Sequence, residues 1–163
     1  GISFWTALDL YEGTSKNLKS YDIIPLLFIS LTIIAGTFVS GMDAGLVYNN
    51  FPYMGDGIIP IEYGNLGFID PFENPVTAQF HHRLLASITL IIIIIYSIHY
   101  IISNPKNLRI LLLLFAIICQ FIIGIFTLLY SVPITLGAMH QFVGVLLFLS
   151  ALWVLHSPKK NTF

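Results

Sequence analysis

The sequence predicts an all-α integral membrane protein, a four-helix bundle, on three observations. Its 163 residues are 56% hydrophobic and 9% charged, with a mean hydropathy of +0.86, outside the ordinary composition of a soluble globule. Four runs are long and apolar enough to supply the roughly 20 helical residues needed to cross a hydrocarbon layer of about 30 Å. None alternates as a barrel strand would, so each run must satisfy its own backbone groups in lipid, as a helix.

The opening stretch, GISFWTALDLYEG, is apolar but too short to span, and it lacks the basic start and small-residue cleavage site of a signal peptide. It is expected to be the end of a preceding membrane helix, so that residues 1–22 comprise that end and a cytoplasmic linker. The spans then follow as Ile23 to Gly41, Leu84 to Ile102, Ile110 to Tyr130 and Val132 to Leu155, within a bundle of residues 23–157. Residues 158–163 form a cytoplasmic tail.

Lys16 and Lys19 precede the first span, Lys106 and Arg109 join the second to the third, and Lys159 and Lys160 follow the fourth. An up-and-down bundle puts all six on one side, which the positive-inside rule makes the cytoplasm or the mitochondrial matrix. The long segment 42–79 faces the other way, with Asp43, Asp56, Glu62, Asp70 and Glu73 and no Lys or Arg, leaving Arg83 as the one outer basic residue. A segment of that length is expected to fold, and its Gly, Pro and aromatic residues suit a lid over the bundle. Cys119, alone in the third span, can form no disulfide within the chain and takes an apolar role.

The candidate chemistry lies with the five histidines. His82 lies at the outer end of the second span and His140 about two turns into the fourth from its outer end, which sets both at similar depth on the outer half. His82 shares a helix face with Ala86, Thr89 and Ile93, and His140 shares one with Gly137, Gly144 and Ala151. Small residues mark close helix packing in membranes, so His82 is expected to point inward and His81 sideways. The third span has a stripe of its own in Ala116, Gln120, Gly124 and Thr127.

Two imidazoles facing each other in a bundle can ligate a heme iron from both sides, and Arg83 adds a cation for a heme propionate. The plainer roles are a polar interface anchor for each histidine and snorkelling for Arg83. His99 and His156 lie 17 and 16 residues beyond the first pair. At ~100° per residue they fall roughly 100° and 160° off its faces, so they read as inner-interface anchors and one heme site is expected.

The run GTFVSGMDAGLVYNNFPYMGDGIIP, then FENPVTAQFHHR, then YSVPITLGAMHQ, closely resembles the C-terminal half of the heme A synthase family of mitochondria and alphaproteobacteria, from about Leu26 to the end. The resemblance implies one half of an eight-helix, two-repeat enzyme of the bacterial or mitochondrial inner membrane that oxidises a methyl of heme O to a formyl group, giving heme A for cytochrome oxidase. It implies that this half binds a heme b cofactor through His82 and His140 on the outer side, while heme O occupies the other half. Membrane lipid, a heme O synthase and further copies of the chain are candidate partners, and no nucleic acid is expected.

Two departures from the family pattern stand out. His81 occupies a position where a polar residue is common, which leaves His81 open as an alternative ligand to His82. Gln79 stands where the catalytic half carries a Glu three residues before its first His, and an amide cannot act as acid or base. No residue here is therefore assigned a catalytic role, and the segment alone is expected to be inactive. A b-type electron-transfer subunit and a heme-free membrane assembly protein are the alternatives; an upstream half bearing Glu-x-x-His excludes the first, and a coloured purified protein excludes the second.

Overall fold

The computed structural model describes residues 1–13 and 20–156. Six helices and no strand occur among these residues: α1 Ile2–Glu12, α2 Ile23–Gly41, α3 Asp70–Glu73, α4 Pro75–Ser103, α5 Leu108–Leu129 and α6 Ile134–Leu155. Of these, α2, α4, α5 and α6 are long and apolar enough to cross a membrane. Lys16, Lys19, Lys159 and Lys160 lie outside the described residues.

The four spans pack as a closed ring in which α2 meets α4, α4 meets α5, α5 meets α6 and α6 returns to α2, with α1 lying against α6. Ile29, Ile93, Leu113, Ile117, Leu147 and Ala151 form the buried centre, drawn from all four spans. Lipid removes the hydrophobic drive between spans, so packing and interhelical hydrogen bonds hold them together. One such bond joins the hydroxyls of Thr32 and Thr89 at 2.7 Å, between α2 and α4.

The structure corrects the sequence expectation at the start of α4. The helix begins at Pro75, not at the apolar run from Leu84, and the preceding segment is therefore 42–74 instead of 42–79. Asn74 caps it, its side-chain oxygen accepting from the N–H of Val76 at 3.0 Å, and Pro75 occupies a first-turn position that needs no donor. Hydropathy missed this because Gln79, His81, His82 and Arg83 interrupt the apolar signal without breaking the helix. Consequently the histidines sit about two turns inside α4 and not at its end.

Segment 42–74 is tied to the bundle by polar contacts. The Asp70 carboxylate is 1% exposed and accepts from the N–H groups of Gly64 (2.8 Å) and Leu66 (2.9 Å), from Asn74 Nδ2 (3.0 Å) and from the Thr77 hydroxyl. Burial alone would raise its pKa, but these four donors outweigh that and hold it well below the usual carboxylate range. Nearby, the Tyr48 hydroxyl donates to Glu62, which pushes its own pKa up. Asn49 bridges the segment to α5, donating to the carbonyls of Gly45 and Leu128. The turn from α5 to α6 places Ser131 and Val132 at positive φ, 58° and 54°. That conformation costs a branched residue about 1–3 kcal/mol, and the Val132 N–H donating to the Thr127 carbonyl at 2.8 Å helps to hold it.

Candidate functional site

A half-open cavity of about 820 Å³ lies between α2, α4, α5 and α6, within the size range of small-molecule and cofactor sites. Its walls are mainly apolar, and His82, His140, Gln79, Arg83 and Gln120 supply convergent polar groups.

His82 on α4 and His140 on α6 face each other across this space, their ring centres 6.4 Å apart and their planes at 88°. An imidazole nitrogen lies about 2 Å from a metal it ligates and about 1 Å from its own ring centre, so two rings holding one metal from opposite sides have centres about 6 Å apart. The observed spacing meets that requirement.

Glycines make room for both rings. A Cβ at Gly36 on α2 would lie 3.1 Å from His82 Cε1, and one at Gly124 on α5 would lie 2.9 Å from His140 Cε1. A third, Gly144 on α6, sits where a Cβ would be 3.2 Å from Gln120 Nε2. His82 Nδ1 lies 3.1 Å from the Thr32 carbonyl. A carbonyl only accepts, so Nδ1 carries the proton and donates, leaving the lone pair on Nε2 for a ligand.

Among the described residues, four that line the cavity each bury one side-chain atom without a hydrogen-bond partner: Gln79 Oε1, Arg83 Nε, Gln120 Oε1 and His140 Nδ1. Facing imidazoles at metal-bridging distance, glycine seats and a mainly apolar wall together fit a heme.

Arg83 is more committed than its sequence position suggests. Its Nη2 donates to the Tyr48 carbonyl at 2.6 Å, and its Nη1 donates to the carbonyls of Asn50 (2.9 Å) and Tyr53 (3.3 Å). These three bonds use three of the five guanidinium N–H groups, leaving Nε–H and the second Nη2 N–H. Gln79, 2% exposed, reinforces the same anchor by donating to the Tyr48 carbonyl at 2.9 Å.

The other histidines lie elsewhere. His81 does not line the cavity; its Nε2 is 3.2 Å from the Tyr63 hydroxyl, and its ring meets Tyr63 edge-on. His99 is exposed on the far part of α4. His156 departs from the expected interface anchor, being fully buried with Nε2 3.0 Å from Asp9 and Nδ1 3.3 Å from Glu12 of α1. Glu12 also accepts from Arg109 at 2.7 Å and from Trp153 at 3.1 Å, so this cluster clamps α1 onto α5 and α6. The apolar run of α1 concealed that clamp, although Asp9 and Glu12, three residues apart on one helix face, were its visible trace. Gly36 and Thr32, which seat and orient His82, were also unforeseen; the only signal was a small-residue pattern in IIAGTFVSG.

Fold and site together define a helical membrane protein with paired imidazoles in an interior cavity. The chain belongs to the COX15-CtaA family of cytochrome oxidase assembly proteins, whose model matches residues 1–152. It is 38% identical to the heme A synthase of Wolbachia pipientis wMel over 153 residues, covering 91% of this chain and 42% of that protein. It is likewise 38% identical to the heme A synthase of Nitrosospira multiformis over 174 residues, covering 97% and 48%. With the heme A synthase of Rickettsia prowazekii the identity is 37% over 147 residues, covering 86% and 43%. The chain thus spans less than half the length of these relatives. No solved structure matches it significantly.

Proposed function

We propose that this chain is the cofactor-binding half of a heme A synthase, holding a heme b between His82 and His140. The observation that carries the reading is the 6.4 Å separation of the two ring centres across a cavity of about 820 Å³. With His82 and His140 both holding it, a bound heme would supply one-electron transfer.

The chain's own residues serve that use. His82 keeps its proton on Nδ1 against the Thr32 carbonyl and presents Nε2. Arg83 and Gln79 both anchor segment 42–74 through the Tyr48 carbonyl beside the cavity, and the second Nη2 N–H of Arg83 is a remaining donor for a propionate. Gln79, an amide where the family's catalytic half carries a Glu, neither gives nor takes a proton. Oxidation of the heme O methyl therefore falls to the other half, and this segment by itself is inactive. Lys106, between α4 and α5, and Arg109, in the first turn of α5, support a reading in which that end faces the cytoplasm or matrix and the heme lies toward the opposite side of an inner membrane. A heme O synthase delivering substrate and self-association within the membrane are the partners consistent with this role.

The test is a reduced-minus-oxidised absorption spectrum of the intact protein beside its His82→Ala and His140→Ala variants. A low-spin b-type signal lost in both variants is expected. Folded variants that keep the wild-type signal would overturn the ligand assignment.

A further inference from the structure

We propose that Phe68, Ile69 and Phe72 insert into the hydrocarbon of the bilayer beside α2, so that lipid anchors segment 42–74 together with its polar contacts to the bundle. Phe68 is 100% exposed, Phe72 60% and Ile69 51%, an apolar patch within five residues of chain. A patch of this kind marks a surface that a membrane or another molecule covers. Continuity with α2 decides between them. Leu27, Leu31 and Ile34 are exposed on α2, and with Phe38 they follow at spacings of four, three and four residues, which keeps all four on one helix face. An exposed aliphatic face on a membrane span meets acyl chains. The Phe72 ring packs edge-on against Phe38, with centres 5.5 Å apart and planes at 68°. Phe38 lies three residues before the end of α2 at Gly41, about 4.5 Å short of it along the axis. Its Cα–Cβ bond tilts toward the helix N-terminus, so the ring lies deeper still. Phe72 therefore stands level with the last turns of a span, and the lipid-facing stripe of α2 runs on through Phe38 to the patch.

The Asp70 knot turns these rings outward. A 3₁₀ turn, Gly67–Ile69, leads directly into α3, and Asp70 is buried with its carboxylate held by Gly64, Leu66, Asn74 and Thr77. Phe68 and Phe72 lie two residues to either side of Asp70, and at roughly 100° to 120° per residue both face away from it. Fixing the carboxylate inward thus fixes both rings outward. Segment 42–74 contains no Lys or Arg, so anionic headgroups have nothing to attract them and hydrocarbon is the occupant that fits. The anchor needs α2 in a bilayer and no heme.

The experiment uses the intact protein in lipid nanodiscs, freed of other cysteines, with a nitroxide attached in turn at Phe68→Cys, Ile34→Cys and Asn65→Cys. The Phe68 side chain is wholly exposed, so its replacement disturbs no packing. Ile34 serves as the lipid reference, and Asn65, exposed on the same segment, as the water reference. Dissolved oxygen concentrates in hydrocarbon and a nickel chelate stays in water, so their relative relaxation of each label reports what surrounds it. At positions 68 and 34 oxygen is expected to outweigh nickel, with the order reversed at 65. Phe68→Trp is expected to add blue-shifted emission that brominated acyl chains quench. A label at 68 reached more by nickel than by oxygen would put the patch in water and overturn the proposal. Shielding from both reagents would put it under protein, a second copy or another part of a longer chain, and overturn it as well. If the label at 34 also fails to read as lipid, the α2 face and the anchor fall together.

Discussion

Adding one methyl group at each of three cavity glycines should perturb heme binding in a graded order set by the space behind each imidazole. A Cβ at Gly124 would lie 2.9 Å from His140 Cε1, one at Gly36 would lie 3.1 Å from His82 Cε1, and one at Gly137 meets nothing nearer than Val132 Cγ1 at 3.9 Å. Carbon atoms in contact prefer about 3.5–4.0 Å, so Gly124→Ala must displace the His140 ring by roughly 0.6 Å and Gly36→Ala the His82 ring by roughly 0.4 Å. Metal–ligand distances tolerate only about 0.2 Å, so both shifts exceed what ligation absorbs. Overpacking of this kind costs about 1–3 kcal/mol. At 1.4 kcal/mol per tenfold, that weakens heme retention roughly 5- to 150-fold, with Gly124→Ala at the high end. Gly137→Ala in the same cavity should be neutral, or stabilise α6 by up to about 1 kcal/mol through helix propensity. Heme retention by the intact protein in detergent, titrated optically with the ferric low-spin signal followed in parallel, measures all three. Equal retention and identical spectra across the series would refute the claim that these glycines are seats for ligand rings.

Arg83→Leu removes three contacts to the carbonyls of Tyr48, Asn50 and Tyr53, and a loss of about 2 kcal/mol of local stability should speed amide exchange in segment 42–74 roughly 30-fold, with little change in the spans. Asp70 has a folded pKa below its unfolded value near 3.9, so its contribution is complete above about pH 4 and is lost as pH falls toward the folded value; Asp70→Asn should remove that acid sensitivity from thermal unfolding profiles of the segment. Ser97, fully buried with an unpaired hydroxyl, should tolerate Ser97→Ala or gain up to about 1 kcal/mol, read as an unchanged or raised melting temperature in detergent. Arg109→Met leaves Glu12 without its cation and the carbonyls of Trp153 and His156 without a donor, and should cost about 2 kcal/mol, seen as faster exchange confined to α1 and the ends it touches.

Four apolar runs bounded by polar and basic residues were enough to establish a helical membrane bundle, because a chain in lipid has few other ways to satisfy its backbone. Depth along a helix follows from residue count, and facing follows from small-residue stripes; His82 and His140 were therefore legible as a pair in the sequence. The true start of α4 was not, since its first turns are polar and are secured by Asn74 and by an Asp70 knot reaching back to Gly64 and Leu66. Nor were the Thr32 carbonyl behind His82, the interlocked Gln120 and Gly124 beside His140, or the clamp joining Asp9 and Glu12 to Arg109 and His156. Those depend on contacts between residues 50 to 147 positions apart, or on the interdigitation of neighbouring helices. Composition and periodicity constrain each helix by itself, whereas the rotation of one helix against another is decided only when all four pack, because small residues permit many close approaches and side-chain fit selects among them.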